Sequence, residues 1–349
     1  MPKSMSTPRY PVGKLPQQDL IELLAGTIRT PDPRVILGPG LGKDAAVVDF
    51  GDRYLVTKTD PITFATDEIG WYVVHVNAND VACLGAMPRW FIVTLLLPEG
   101  QADRDQVETI FQQLHAASDE LDVTIVGGHT EITHGITRPI AVGAMMGEVT
   151  PDTLVRSDGA RPGDALILTK RIAVEGTAII TGERRGTLAD VFDPDFLDRA
   201  ANFLHDPGIS VVEDAAVIAE AGEVHAMHDP TEGGVATGIY ELTQAAGYGA
   251  VIQADQLPYF EETRTLCDHL ELDPRGIIAS GSLLAAVAPD HVSRILSALD
   301  RHGIEASLIG SVREQPGVIL SDNENREPMP TFARDEIARL FEAPVDEDA

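Results

Sequence analysis

Three aspartates stand at the borders of apolar segments. Asp44 precedes the run AAVVDF at 45–50, and Asp60 ends YLVTKT in the segment KTDP. Asp80 lies within an apolar helical stretch, with Asn77 one turn before it on the same face. A carboxylate on the buried side of such a helix is unfavourable unless it is paired or binds a cation. Two strand-border carboxylates converging with a helical one would form an all-oxygen donor set suited to Mg2+. Taken singly, each also reads as an exposed or capping residue, and 55 acidic side chains keep that plainer reading open.

Other polar groups collect at glycine-containing junctions. Gly38, Gly40 and Gly42 precede Lys43, but this is no Walker A motif: Leu37 stands where a glycine is required, and Asp44 where Ser or Thr is required. What remains is a loop able to wrap phosphate with backbone N–H groups, or a plain turn. Gly127 and Gly128 close the apolar run VTIV and permit close approach of a ligand, with His129, Thr130 and Glu131 at the same spot. The segment HDPTEGG at 228–234 joins a strand to a helix, where Asp229 or Thr231 caps the helix or the helix N-terminus attracts an anion. Lys43, Lys58 and Lys170 are three of only five lysines, and each lies beside one of these loops. That placement points to phosphate contacts or to chance.

Regular elements must position these groups. Leu20, Leu23, Leu24 and Ile28 recur at helical spacing after a polar, mobile segment at 1–14. A helix is predicted over 69–84, closed by Gly85 with Pro88 beyond. Strands are predicted at AAVVDF, YLVTKT, VTIVGG, RPIAVGAMMGEV and WFIVTLLLP, the last apolar enough to be buried on both faces. Val107, Ile110, Phe111 and Leu114 mark another helix. After TPDTLVRSDGARPGD the pattern restarts with ALILTK, which sets a domain boundary near 155: one domain over 1–155, a second over 156–349. The second half shows helices near 211–221, from TEGG to about 246 and at HVSRILSALDRHG, with strands VHAMHD, AVIQA, SLLAAVA and IEASLIGSV. Strands and helices mix without strict alternation, an α+β pattern.

Composition narrows the function. The 349 residues suggest two domains, and a 44 % hydrophobic share excludes wholesale disorder. A net charge of −29 argues against nucleic acid and against anionic membrane surfaces. Acid excess with scarce lysine fits concentrated salt, or simply a well-solvated surface. Cys83 and Cys267 are too few for a disulfide framework, and Cys83, within VACLGA, reads as a small buried hydrophobe. No apolar run reaches a membrane span and no signal peptide is evident, so a cytoplasmic location is expected.

In order, GKDAAVV, TKTDPITF, VNANDVACLGAMP, GGHTEIT, RSDGARPGDALILT, HDPTEGGVATGIYEL and IGSV resemble the AIR synthase-related (PurM-like) ATP-binding superfamily. RSDGARPGD and HDPTEGG look most like its hydrogenase-maturation, HypE-like branch, while VNANDVACLGAMPRW is similar to the thiamine-monophosphate kinase branch. The resemblance implies an α+β, two-domain PurM-like fold whose N-terminal α/β domain pairs with a second copy in a dimer barrel. It also implies ATP and Mg2+ as cofactors, bound in the cleft. Asp44, Asp60 and Asp80 would be the Mg2+ ligands; Lys43 or Lys58 would contact phosphate; Asp229 and Glu131 would face the substrate. Gly40, Gly42, Asn79, Gly127, Gly128, His129 and Thr130 would surround the nucleotide.

The departures are specific. Lys43 stands where many relatives carry the first of two aspartates, and His129 where these branches usually show an acid, so that Glu131 takes over as ligand. The hydrogenase dehydratase ends in a cysteine that carries the carbamoyl group, whereas this sequence closes with FEAPVDEDA. No cysteine precedes Cys83, which removes the reactive residue of selenophosphate synthetase. The implied chemistry is transfer of ATP's γ-phosphoryl group to an oxygen of a small or protein-borne substrate. The alternatives are a thiamine-monophosphate-kinase-like enzyme, or a non-catalytic ATP-binding factor serving a maturation partner protein.

Overall fold

The computed structural model describes residues 15, 19–20, 22–24, 32–40, 43–63, 67–322 and 325–341. Leu20, Leu23 and Leu24 are helical as their spacing predicts, while Ile28, Gly42 and the segment 1–14 lie outside the described residues. The first sheet comprises β1 (Val35–Leu37), β2 (Ala46–Asp49), β3 (Tyr54–Ile62), β4 (Met87–Pro98), β5 (Thr124–Thr133) and β6 (Ile140–Val149), in the order β1-β2-β3-β6-β4-β5. Only β4 and β5 run parallel, and the crossover between them contains helix α2 (Arg104–Glu120).

Helix α1 (Ile69–Cys83) is the central element. Its near-continuous apolar sequence suits a helix enclosed on all sides, and every residue of it except Trp71 is buried. Ile69, Val73, Ala78 and Val81 pack into the first-sheet core with Val56, Phe91 and Met145. On its other side Tyr72 meets Val174, Phe203 and Ile209, while Ala82 and Cys83 meet Val155 and Val211. One helix thus serves as core for both halves of the chain.

The second sheet contains β7 (Ala165–Thr169), β8 (Val224–His228), β9 (Gly249–Gln253), β10 (Leu284–Val287), β11 (Ala306–Arg313), β12 (Gly317–Ser321) and β13 (Arg326–Pro328). Its order is β13-β12-β9-β11-β7-β10-β8, with helices α3 (Val174–Leu188), α4 (Pro194–Ala201), α5 (Val212–Ala221), α6 (Gly234–Ala245), α7 (Glu261–Leu270) and α8 (Val292–Arg301). Two sheets with helices confirm the α+β expectation, and among the described residues no helix is long and apolar enough to cross a membrane.

Two strand expectations need correction. β4 was expected to be buried on both faces, yet Trp90 and Ile92 are 37 % and 39 % exposed. The chain's own helices cover only one side of the sheet at this edge. β5 was expected to stop at its glycines but continues to Thr133, exposed throughout save for its last residue. Gly128 keeps the strand in register: a Cβ there would meet the Val93 carbonyl oxygen of β4 at 2.1 Å. The segment 127–131 is therefore mid-strand rather than a strand-end loop.

Asn79 ties the two halves together. Its Nδ2 donates to Ile209 O at 2.8 Å, and its Oδ1 accepts from Val211 N–H at 2.9 Å. Asn79→Ala leaves both backbone groups buried without partners and should lower the unfolding free energy by about 2–4 kcal/mol, read from urea midpoints.

Candidate functional site

β3 sets the first part of the site. Lys58 and Asp60 are two residues apart on a strand and so share a face. Asn77, on α1, fixes the strand beside the helix: its Oδ1 accepts from Asp60 N–H at 2.8 Å and its Nδ2 donates to Val73 O at 2.8 Å. This places Asp80, a turn further along α1, next to β3. Lys58 Nζ then lies 3.1 Å from Asp80 Oδ2 and 3.3 Å from Asp60 Oδ2.

The second domain supplies the other wall. His228 ends β8 and reaches back to the first domain, with Nδ1 3.1 Å from Asp44 Oδ1 and Nε2 3.1 Å from Glu241 Oε2 of α6. Asp229 follows; its Oδ1 accepts from Cys83 Sγ at 3.6 Å, and its buried Oδ2 has no hydrogen-bond partner. The structure thus brings Asp44, Asp60 and Asp229 within electrostatic range of the Lys58–Asp80 pair.

Burial dominates the protonation of these groups. It works against the Lys58 charge, but Asp80, Asp60 and Asp44 more than offset it and raise the ammonium above its ordinary range. Burial raises Asp80 well above a normal carboxyl despite Lys58, and raises Asp229 to about 7 despite His228. For His228, burial disfavours the imidazolium, yet Asp44 and Glu241 raise it well above the usual histidine range.

Other predicted residues are elsewhere. Gly127, Gly128, His129, Thr130 and Glu131 lie on β5, three strand spacings from β3, or about 14 Å within one chain. There His129 Nε2 and Glu131 Oε2 form an exposed pair 3.2 Å apart. Lys43 packs its stem near Gly40 and acts electrostatically on Asp158. Both ends of the Asn79 amide are spent on the second domain's backbone. Lys170 is buried, donating to Ser210 O and lying 3.4 Å from Asp214 Oδ2. It also lines a separate cleft of about 920 Å3 with Arg171, Tyr259 and Arg264. Cys83 is 1 % exposed, as a small hydrophobe would be, but touches Asp229. His228 and Glu241 escaped sequence reasoning, because nothing in one dimension links residue 228 to residues 44 and 241.

The donor set fits a hard divalent cation in kind: carboxylates alone, with a buried unpartnered oxygen on Asp229. It is not assembled as a cage. Among the described residues no three His, Cys, Asp or Glu side chains gather closely enough to hold an ion, and Lys58 bridges Asp60 and Asp80 instead.

A buried acidic site walled by two consecutive sheet-and-helix units defines a class, and sequence comparison agrees with it. Residues 42–149 match the AIR synthase related protein N-terminal domain and residues 161–323 the corresponding C-terminal domain. The chain is 34 % identical over 265 residues to the carbamoyl dehydratase HypE of Rhizobium leguminosarum bv. viciae, covering 75 % of this chain and 72 % of that one. It is 31 % identical over 287 residues to the Methanocaldococcus jannaschii protein MJ0676, named for hydrogenase expression and formation, covering 79 % and 82 %. The crystal structure of the hydrogenase maturation protein HypE in complex with ATP superposes with a TM-score of 0.71 at 25 % identity, covering 93 % of this chain and 97 % of that one. The chain belongs to the AIR synthase-related family, with a PurM-like fold and HypE-like relatives.

Lys58→Met leaves Asp60 and Asp80 without their shared cation. Its unfolding free energy should fall by about 3 kcal/mol, and millimolar Mg2+ should restore more stability to the variant than to the wild type in parallel urea titrations.

Proposed function

We propose that the chain binds ATP with Mg2+ between its two domains and transfers the γ-phosphoryl group to an oxygen of a small or protein-borne substrate. The observation that carries this reading is Asp229: a buried second-domain carboxyl group with an unpartnered oxygen, within electrostatic range of Asp44, Asp80 and Lys58 of the first domain. The ATP complex of a HypE relative supports it.

Asp44, Asp60 and Asp80 would hold the ion, which would gather the phosphate oxygens and offset the repulsion ATP meets in a chain of net charge −29. Lys58 lies among these carboxylates, within reach of a phosphate oxygen once it leaves one of them. In the transfer, the bond from the β,γ-bridging oxygen to the γ-phosphorus breaks, a bond from substrate oxygen to that phosphorus forms, and ADP departs. Asp229, with its carboxyl near 7, is matched to accept the proton of an attacking hydroxyl. Lys43, at the 38–43 loop, is a second phosphate contact.

The reading includes a homodimer. Trp90 and Ile92 of β4 are exposed on the outer face of the sheet, beside the edge strand β5, where Ile125, Val126 and Ile132 are also uncovered, an edge that a second copy would bury. The exposed His129 and Glu131 of one copy would then face the other copy. A maturation partner is consistent with the solved complex of a HypE neighbour with HypF.

Calorimetry with ATP and Mg2+ tests the site. Asp80→Asn and Asp229→Asn should weaken binding about tenfold or more while circular dichroism stays unchanged. Wild-type affinity in both variants would sink the assignment. Trp90→Glu combined with Ile92→Glu should convert a sedimenting dimer to monomer.

A further inference from the structure

Residues 326–341 supply none of the groups placed in the site, yet they hold α6, the helix that carries Glu241. Arg326–Pro328 add β13 to the edge of the second sheet, and the buried Met329 and Leu340 seat the segment in the second-domain core. Between those anchors Asp335 faces two ways. Its Oδ1 accepts from Ile337 N–H at 3.0 Å and caps the 3-10 turn Glu336–Leu340. Its Oδ2 accepts from Gly233 N–H at 2.7 Å. Gly233 is the N-cap of α6, stands in left-handed backbone (φ 81°) and has no side chain with which to cap the helix. The helix start that could attract an anion therefore already holds one, the chain's own Asp335.

The same segment grips α6 again two turns on, where the Tyr240 hydroxyl donates to Met329 O at 2.8 Å. It also fixes the backbone against which α6 begins. Glu336 Oε2 accepts from Asp273 N–H at 3.2 Å, and Phe332 lies so close over Gly276 that a Cβ there would meet its Cδ1 at 2.5 Å. Gly234 in turn abuts that stretch, since a Cβ there would meet Arg275 O at 2.4 Å. The residue after Tyr240 is Glu241, whose Oε2 lies 3.1 Å from His228 Nε2, and His228 Nδ1 lies 3.1 Å from Asp44 Oδ1. Every link from Asp335 to Asp44 is a hydrogen bond or a continuous stretch of helix.

We propose that residues 326–341 are a strap that positions the candidate site, with Asp335 and Tyr240 as its positioning residues: they hold α6 so that Glu241 delivers His228 to Asp44 across the two domains. When the strap is loosened, α6 shifts against the sheet and Glu241 no longer keeps His228 on Asp44. The second-domain wall, Asp229 included, then meets the first domain in more than one arrangement. Only molecules with α6 seated bind well, so the apparent affinity falls by the fraction that is unseated. The consequence for ATP rests on the reading above; the link from the strap to His228 does not.

Calorimetry with ATP and Mg2+ tests the consequence, at about pH 8 so that Asp335, which burial pushes up to about 6, is ionised. Asp335→Ala should weaken binding about tenfold, and Tyr240→Phe, which removes only a hydroxyl, about threefold. In a Glu241→Ala background neither should weaken it further, because the path to His228 is already cut. A segment that merely held up the fold would lower urea midpoints and leave the affinity of folded molecules unchanged. NMR of 15N-histidine protein reads the link without nucleotide: the His228 Nε2–H resonance, assigned with His228→Gln, should be sharp in the wild type and broadened or lost in both variants. An unchanged resonance in both, wild-type affinity in both, or losses that multiply with that of Glu241→Ala overturn the proposal. So does tighter binding in Asp335→Ala, which would make the segment a block on the site. A wild type that binds no ATP, while both variants lose the His228 resonance, sinks the ATP reading and upholds the strap.

Discussion

A lysine ammonium set between two carboxylates governs how the first domain is put together. Asp60 on a strand and the buried Asp80 on a helix would repel one another were Lys58 not between them. Lys58 therefore does more than balance charge: with Asn77 it fixes where α1 lies along β3. The same device recurs across the domain boundary, where the His228 imidazolium joins Asp44 of one half to Glu241 of the other. Such pairs add little net stability, but breaking one is expensive, so they specify an arrangement. The two cations face five carboxyl groups, Asp44, Asp60, Asp80, Asp229 and Glu241, and burial holds Asp80 and Asp229 toward their neutral forms, so a further cation there would displace protons from them.

Much of this was legible in one dimension. Helix α1 announced itself through its apolar run and closing Gly85, and Asp60 and Asp80 stood out because a charge inside an apolar stretch demands a partner. Family resemblance, carried by short ordered motifs, gave the superfamily. What stayed hidden was long-range pairing. His228 and Asp44 are 184 residues apart, and no local pattern marks them as neighbours. Glycine misled at β5, where it suggested a strand end although close strand approach required it. Lys170 suggested a phosphate contact from its rarity, yet burial commits it to Ser210 and Asp214.

Exposure of β4 and β5 has a counterpart inside the chain. The first sheet gives one face to α1 and leaves the outer face at its β5 edge to solvent, so its core is complete without that surface. An association there would add burial without reorganising the fold, which lets assembly and folding be separate events.

Asn79 and Asp80 are consecutive residues of one helix, and they point about 100° apart. The first grips the second domain's backbone; the second meets Lys58 on the first domain's sheet. Any small roll of α1 must move both. By thermodynamic linkage, a ligand that draws Asp80 toward itself alters the grip on Ile209 and Val211, and a change in that grip alters the ligand's affinity by the same factor. The helix is thus a lever whose two arms are adjacent side chains, and the spacing of the domains becomes a variable that chemistry at the site can read.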